Sequence, residues 1–244
     1  MQRYFVEFDL KLNQEFQITG ADVHHMRNVM RFSMGEQVAV CNAGKCYLCD
    51  IVTVDAKCVT LLAKEFLSNN ELPVNVDIAQ ALIRRERFEY MMQKAVELGA
   101  RKIIPMVARN NVVKINPNKE ETKKRRWEAI LKEASEQSQR TIKATIGPTT
   151  KLVNLPFKQY DKVIVAYEKE AGSKTLTSVF TKELNNILLV IGPEGGFSDA
   201  EITYLKTIPN VSFVGLGKRI LRSETAPLFL LSVIGYLYEL EGDK

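Results

Sequence analysis

Two glycine-bearing stretches have the residue types and spacing to hold a ligand. Residues 188–201 read LLVIGPEGGFSDAE, an apolar run that stops at Gly192 and resumes beyond Pro193, Glu194, Gly195 and Gly196. Glycine admits backbone angles that other residues resist and lets a ligand approach the main chain with no Cβ in the way. Ser198 with Glu201 three residues on has the pattern of a capping box, so a helix starts there. The unit is a strand, a tight glycine turn and a helix N-terminus, which places the turn at the carboxyl end of a parallel sheet, where open α/β folds bind ligands. Phosphate is a poor fit. Neither G-x-x-x-x-G-K-[ST] nor G-x-G-x-x-G is present, and Pro193 removes one amide donor. Glu194 would also repel a phosphate at about 4 Å by about 1 kcal/mol in bulk water and by roughly 4 kcal/mol at an effective dielectric of 20. A neutral or cationic ligand held by backbone groups fits better; the bland alternative is a turn that only joins strand to helix.

Residues 215–227, GLGKRILRSETAP, repeat the design: a strand ends at Gly215, a glycine loop follows, and Ser223 or Thr225 can cap the next helix, with Pro227 in its first turn. Two such loops from one sheet can close on a single ligand. Leu216, Ile220 and Leu221 offer an apolar wall for a flat ring, with Arg222 and Glu224 at its edge. The alternative for Leu216 and Leu221 is ordinary core.

The elements that must position these loops follow from periodicity. A chain of 244 residues, 45% apolar and 26% charged, is that of a folded globular protein of one or two domains. Residues 1–70 hold short β-like segments (RYFVEF, EFQIT, EQVAVCN, CYLCDIVTV, KCVTLLAKEF) separated by turns such as Asn42-Ala43-Gly44, spacing that favours a small barrel or curled sheet. One helix, 21–31, interrupts them, with Val23, Met26, Val29 and Met30 at helical spacing. It carries both histidines, His24 and His25, which face different directions and read as surface or packing residues. SNNELPVN at 68–75 marks a boundary near residue 72, after which strands 76–82, 102–108, 163–167, 187–191 and 211–215 alternate with helices 86–98, 119–139, 199–207 and 224–240. That alternation predicts a mainly parallel sheet covered on both faces. The last helix is apolar around most of its circumference and needs cover on several sides.

Composition narrows the function. No apolar run reaches the roughly 18 residues of a membrane span, and the N-terminus lacks a signal core, so a cytoplasmic protein without a membrane partner is expected. The net charge of +5 is modest, yet Arg84-Arg85-Glu86-Arg87, Lys123-Lys124-Arg125-Arg126 and Lys218-Arg219 with Arg222 are clumped, which suggests a polyanion. The second clump reads as a solvated helix face. Cys41, Cys46, Cys49 and Cys58 lack a second pair or a nearby histidine to complete a metal site, so no metal is expected and buried reduced thiols are.

At this level of detail the chain resembles the RsmE family, bacterial methyltransferases of the knotted SPOUT superfamily that modify 16S ribosomal RNA. The resemblance rests on Ile191-Gly192-Pro193-Glu194-Gly195-Gly196-Phe197-Ser198 and on Leu216-Gly217-Lys218-Arg219-Ile220-Leu221-Arg222-Ser223-Glu224-Thr225-Ala226. Upstream matches are Gln80-Ala81-Leu82, Lys94-Ala95-Val96-Glu97-Leu98-Gly99 leading into Ile104-Pro105, the Arg109 region, Glu133-Ala134-Ser135-Glu136-Gln137-Ser138 with Arg140, and Val29-Met30-Arg31 before Gly35. Two positions depart from the family pattern: Arg84 stands where a lysine is common, and Ala108-Arg109-Asn110 replaces a Glu-Arg-Ser run.

The resemblance implies an α/β protein with an N-terminal PUA-like β-barrel over residues 1–71 that binds RNA and a C-terminal SPOUT domain over residues 72–244 with a trefoil knot near 187–227. It implies S-adenosylmethionine (SAM) as cofactor, a homodimer, and the small ribosomal subunit as partner, methylated at N3 of a uridine. The cofactor would lie against Ile191, Gly192, Gly195, Gly196, Leu216, Gly217, Ile220, Leu221 and Ala226. Uridine N3 carries a proton and is a poor nucleophile until it leaves. Arg222 is the candidate to stabilise negative charge on a uracil carbonyl, with Glu194 or Glu224 to take the proton. Arg84, Arg85, Arg87, Arg109 and Arg140 are the expected RNA contacts. A protein that keeps the fold but only binds RNA or assists assembly is the competing reading.

Overall fold

The computed structural model describes residues 1–113, 120–170, 176–181 and 183–241. The chain divides into two units, Met1–Glu71 with Ser135–Lys143, and Leu72–Ala134 with Ala144–Lys244.

In the first unit β1 (Arg3–Phe5), β2 (Glu15–Thr19), β3 (Gln37–Asn42), β4 (Lys45–Val54) and β5 (Cys58–Phe66) form a sheet in the order β1-β3-β4-β5-β2. β1 runs parallel to β3 and the other pairs are antiparallel. With β1 and β2 left at the two edges, this is a curled half-barrel and not a closed one. Alternation sets its inner face: Val59, Leu61 and Ala63 of β5 are buried against Tyr4, Ile18, Val38, Val40 and Ile51. Asn42↔Lys45 closes a two-residue hairpin whose central residues, Ala43 and Gly44, both have positive φ, as a type I′ turn requires.

Two expectations are corrected in this unit. Cys41 and Cys46, read above as reduced thiols, sit directly opposite each other beside that turn and are joined by a disulfide across a Cα–Cα distance of 4.0 Å. The hairpin register brings them together, which spacing along the chain does not reveal. Cys49 is free and buried, and burial pushes its thiol up to about 12. The helix expected over 21–31 is α1 (Ala21–His24) followed by a π-helical turn, His25–Val29. Val23 and Met26 are buried, whereas Val29 and Met30 are exposed.

The second unit is a seven-stranded sheet in which every pairing is parallel. Its chain order is β6 (Asn75–Ala81), α2 (Arg85–Glu97), β7 (Lys102–Val107), α3 (Glu120–Gln137, ending in the first unit), β8 (Thr145–Ile146), β9 (Thr150–Lys151), β10 (Lys162–Ala166), α4 (Leu176–Val179), β11 (Asn186–Ile191), α5 (Asp199–Lys206), β12 (Val211–Val214) and α6 (Ala226–Gly235). The helical path continues as a π-helical turn, Tyr236–Leu240, and residue 119, the expected start of the helix over 119–139, lies outside the described residues. Strands lie in the order β12-β10-β11-β6-β7-β8, with β9 also on β7. Both faces are covered, as near-continuous apolar strands demand. Ile187, Leu189 and Ile191 of β11 pack with Met91 of α2, Leu131 of α3 and Leu230 of α6, while Leu188 and Val190 pack with Leu205 of α5 on the other face.

Candidate active site

The loops after β11 and β12 both leave carboxyl ends of the parallel sheet, and they are bonded to each other. The Ser223 hydroxyl donates to the Gly192 carbonyl at 2.6 Å, and the Gln80 side-chain amide, at the end of β6, donates to Ser223 Oγ at 2.8 Å. Gln80 is completely buried. A polar chain therefore runs from the central strand to the second loop and on to the first. Ser223, expected as a possible helix cap, spends its hydroxyl on this tie; Thr225 holds the N-cap position of α6 without a side-chain cap bond.

The first loop is braced from both sides. Ser198 and Glu201 form both halves of the capping box, and Glu201 Oε1 also accepts the Arg109 backbone N–H at 2.8 Å. The Asn110 side-chain amide donates to the carbonyls of Gly195 and Gly196, each at 3.2 Å. A Cβ on Gly195 would come within 3.2 Å of Asn110 Cβ, so the residue is small because the loop after β7 lies against it. Gly196 (φ 68°) and Gly217 (φ 98°) combine left-handed backbone with open space where a Cβ would stand. The two loops thus present bare backbone to an open side.

Charge is concentrated on one pair of carboxylates. Arg87, in the first turn of α2, reaches both: Nη1 lies 3.5 Å from Glu194 Oε1, and Nε lies 3.6 Å from Glu224 Oε1. Glu224 is buried, and its Oε2, like Gln80 Oε1, has no hydrogen-bond partner among the described residues. Buried acceptors without donors are costly to leave so, and they suit a ligand that brings N–H groups or positive charge. The Arg222 side chain is exposed and has no partner among the described residues. Of the apolar wall, Leu216 packs partly on the core, Leu221 is half-buried and Ile220 is 88% exposed. Ile191 and Ala226 are buried beneath the loops.

The arginines expected to touch RNA fall into three groups. Arg84 and Arg109 are exposed, and their side chains have no partner among the described residues. Arg85 is exposed but pairs with Glu89 at 3.1 Å, and Arg87 is committed to the two glutamates. Arg140 is buried in the first unit, where Nε donates to Glu71 Oε2 at 3.0 Å. The 123–126 clump is a paired helix face, with Arg126 on Glu89 at 2.6 Å and Arg125 on Glu121 at 3.2 Å.

Sequence reading missed three features. Asn110 gave no signal of its buttressing role. Gln80 did give one, being polar inside an apolar strand. In the first unit, Gly20, Val23, His24, Arg27, Asn28, Ala56 and Lys57 line a groove of about 310 Å³. The side chains of His24, Arg27, Asn28 and Lys57 have no partner among the described residues, and donors outnumber acceptors around the groove. No cluster of three or more potential metal ligands occurs among the described residues, and no helix there is long and apolar enough to cross a membrane.

Comparison with known proteins places this geometry. Residues 70–235 match the RNA methyltransferase domain family, and residues 18–62 match the RNA methyltransferase PUA domain family. Ribosomal RNA small subunit methyltransferase E of Bacillus subtilis is 39% identical over 257 residues, covering all of both chains. The Neisseria gonorrhoeae protein of the same name, solved with S-adenosylmethionine bound, superposes with a TM-score of 0.86 at 26% identity over 98% of each chain. A methyltransferase of Legionella pneumophila, also solved with bound SAM, gives a TM-score of 0.83 at 30% identity, covering 96% of this chain and 97% of the other. With both domains matched and the two bonded loops at the carboxyl ends of its sheet, the chain belongs to the ribosomal RNA small subunit methyltransferase E family.

Proposed function

We propose that this protein uses SAM to methylate N3 of a uridine in 16S ribosomal RNA of the small subunit, in the cytoplasm. The observation that carries the reading is the Ser223 to Gly192 bond, which joins the two loops into one ligand-facing surface. The surface fits SAM: bare backbone at Gly196 and Gly217, a buried acceptor at Gln80, and no phosphate cradle. Bound SAM supplies an electrophilic methyl on a sulfonium cation, for which the Glu194 and Glu224 carboxylates are no obstacle. Ile191, Gly192, Gly195, Gly196, Leu216, Gly217, Ile220, Leu221 and Ala226 are the residues proposed to hold it.

The protein's own part is to orient the uridine for in-line transfer and to favour loss of its proton. The Arg222 guanidinium, without a partner among the described residues, is available to stabilise charge on a uracil oxygen, and the glutamates are available to accept the proton. Arg84 and Arg109, with Arg85 once its surface pair exchanges, are proposed to contact phosphates, and the His24, Arg27, Lys57 groove extends that role to the first unit. The segment leaving β12 passes the end of β10 to bond Gly192 and Gln80, a path that supports the trefoil knot. Phe229, Tyr236 and Leu240 leave an exposed apolar stripe along α6 and the turn after it, which we propose a second subunit covers.

The test is incubation with labelled SAM and small subunits from cells lacking this modification, followed by mapping of the label. Label on one uridine N3 of the 16S RNA supports the proposal. RNA binding with neither SAM binding nor methyl transfer favours the catalytically silent reading.

A further inference from the structure

Resting on the reading above, we propose that Arg87 is a positioning residue that fixes Glu224, and not Glu194, as the group that takes the proton from the uridine. The two glutamates are alike in sequence terms but not in setting. Glu194 keeps 29% of its side-chain surface exposed and Glu224 keeps 11%. Arg87 pairs with one oxygen of each, Glu194 Oε1 at 3.5 Å and Glu224 Oε1 at 3.6 Å, so the guanidinium stands between the loops. Held this way, Glu224 has its other oxygen, Oε2, buried and without a donor among the described residues. A carboxylate with one oxygen in an ion pair with an arginine at 3.6 Å and the other unsatisfied is oriented to accept one N–H.

The backbone supports the same arrangement. Arg87 lies in the first turn of α2, directly after the strand whose Gln80 bonds Ser223, the neighbour of Glu224. Strand end, helix start and second loop are thereby tied at two adjacent residues. In the step proposed, the proton of uridine N3 passes to Glu224 Oε2, the electron pair it leaves forms the new N–CH3 bond, and the S–CH3 bond breaks with its pair staying on sulfur. This removes Arg87 from the phosphate-binding set to which its place in a basic run had assigned it.

The experiment uses the full chain with Arg87→Gln, Arg87→Lys, Glu224→Gln and the Arg87→Gln/Glu224→Gln pair. SAM affinity is measured by calorimetry, RNA affinity as a function of salt, and kcat and KM with small subunits. The expected result is a fall in kcat of about tenfold or more for Arg87→Gln. SAM affinity should change less than about threefold and the RNA salt slope should not change; Arg87→Lys should recover part of the loss, and the double variant should be no slower than Glu224→Gln, because residues acting as a unit are non-additive. Unchanged kcat overturns the inference. So does weakened SAM affinity with kcat intact, which would make Arg87 only a tie between loops. A salt slope lowered by about 0.7–0.9 with kcat intact would make it a phosphate contact. If the wild-type protein binds no SAM, the underlying reading falls; if it binds and transfers while Arg87→Gln matches it, only this inference does.

Discussion

At the scale of single residues, the site combines bonded polar groups, Ser223 and the Gln80 amide, with acceptors at Gln80 Oε1 and Glu224 Oε2 that have no donor among the described residues. Ser223→Ala removes both the tie to Gly192 and one of the two acceptors of the buried Gln80 amide, leaving it only the Ala81 carbonyl, at a cost of about 1–3 kcal/mol. SAM titration should show about tenfold weaker binding; unchanged affinity would mean that the loops keep their relation without the bond. Arg222→Ala touches no such tie, so it should bind SAM normally and lose about a hundredfold in methyl transfer. Unchanged turnover would remove Arg222 from the mechanism. In the first unit Glu71 accepts from Arg140 and from the N–H groups of Thr141 and Ile142 at 2.8 and 2.9 Å. Burial works to raise its carboxyl, but Arg140 and the two backbone bonds outweigh it and hold the group below the ordinary carboxylate range. A depressed folded value contributes stability that is full above the unfolded value near pH 4.3 and is lost as pH falls through the folded one. Glu71→Gln should therefore flatten acid unfolding below about pH 4 and, by replacing the charge-assisted bonds from Arg140 and the two backbone N–H groups with weaker neutral ones, destabilise the unit by about 1–3 kcal/mol in urea. The candidate glycines, glutamates and Arg222 were legible in the sequence because the loop motif carries them. The fates of Arg87 and Arg140 were not, because a run of like charges does not reveal which member meets a carboxylate distant along the chain.

At the scale of elements, α2 ends in a Schellman motif: Ala100 N–H bonds the Ala95 carbonyl and Gly99 N–H bonds that of Val96, with Gly99 at φ 95°. A Cβ there would sit 2.4 Å from Leu72 Cδ1. Gly99→Ala should cost about 2 kcal/mol or more from backbone strain and the clash together, read as a lower urea midpoint; a shift under about 0.5 kcal/mol would contradict the geometry. The parallel strands were legible because burial on both faces writes them as uninterrupted apolar runs ended by turn residues. The first helix was less so: its apolar spacing continued to Met30, but the backbone widens into a π turn and leaves Val29 and Met30 outward. The disulfide was hidden because it depends on hairpin register and not on spacing.

At the scale of the whole molecule, the reading requires RNA affinity that falls steeply with salt, since each neutralised phosphate releases counterions. Arg84→Gln and Arg109→Gln should each lower the slope of log affinity against log salt by about 0.7–0.9, and a flat response in the wild type would contradict the RNA assignment. Strand order was not legible at all: β6 lies between β11 and β7, and β10 between β11 and β12, arrangements set by crossovers that leave no mark in local periodicity. Yet that order is what brings the ends of β6, β11 and β12 within reach of one another. The most direct measurement of the account is hydrogen–deuterium exchange with and without SAM. Slowed exchange confined to 191–197 and 216–226 together is the predicted result; protection in one loop alone, or in neither, would contradict the claim that the two loops make a single SAM site.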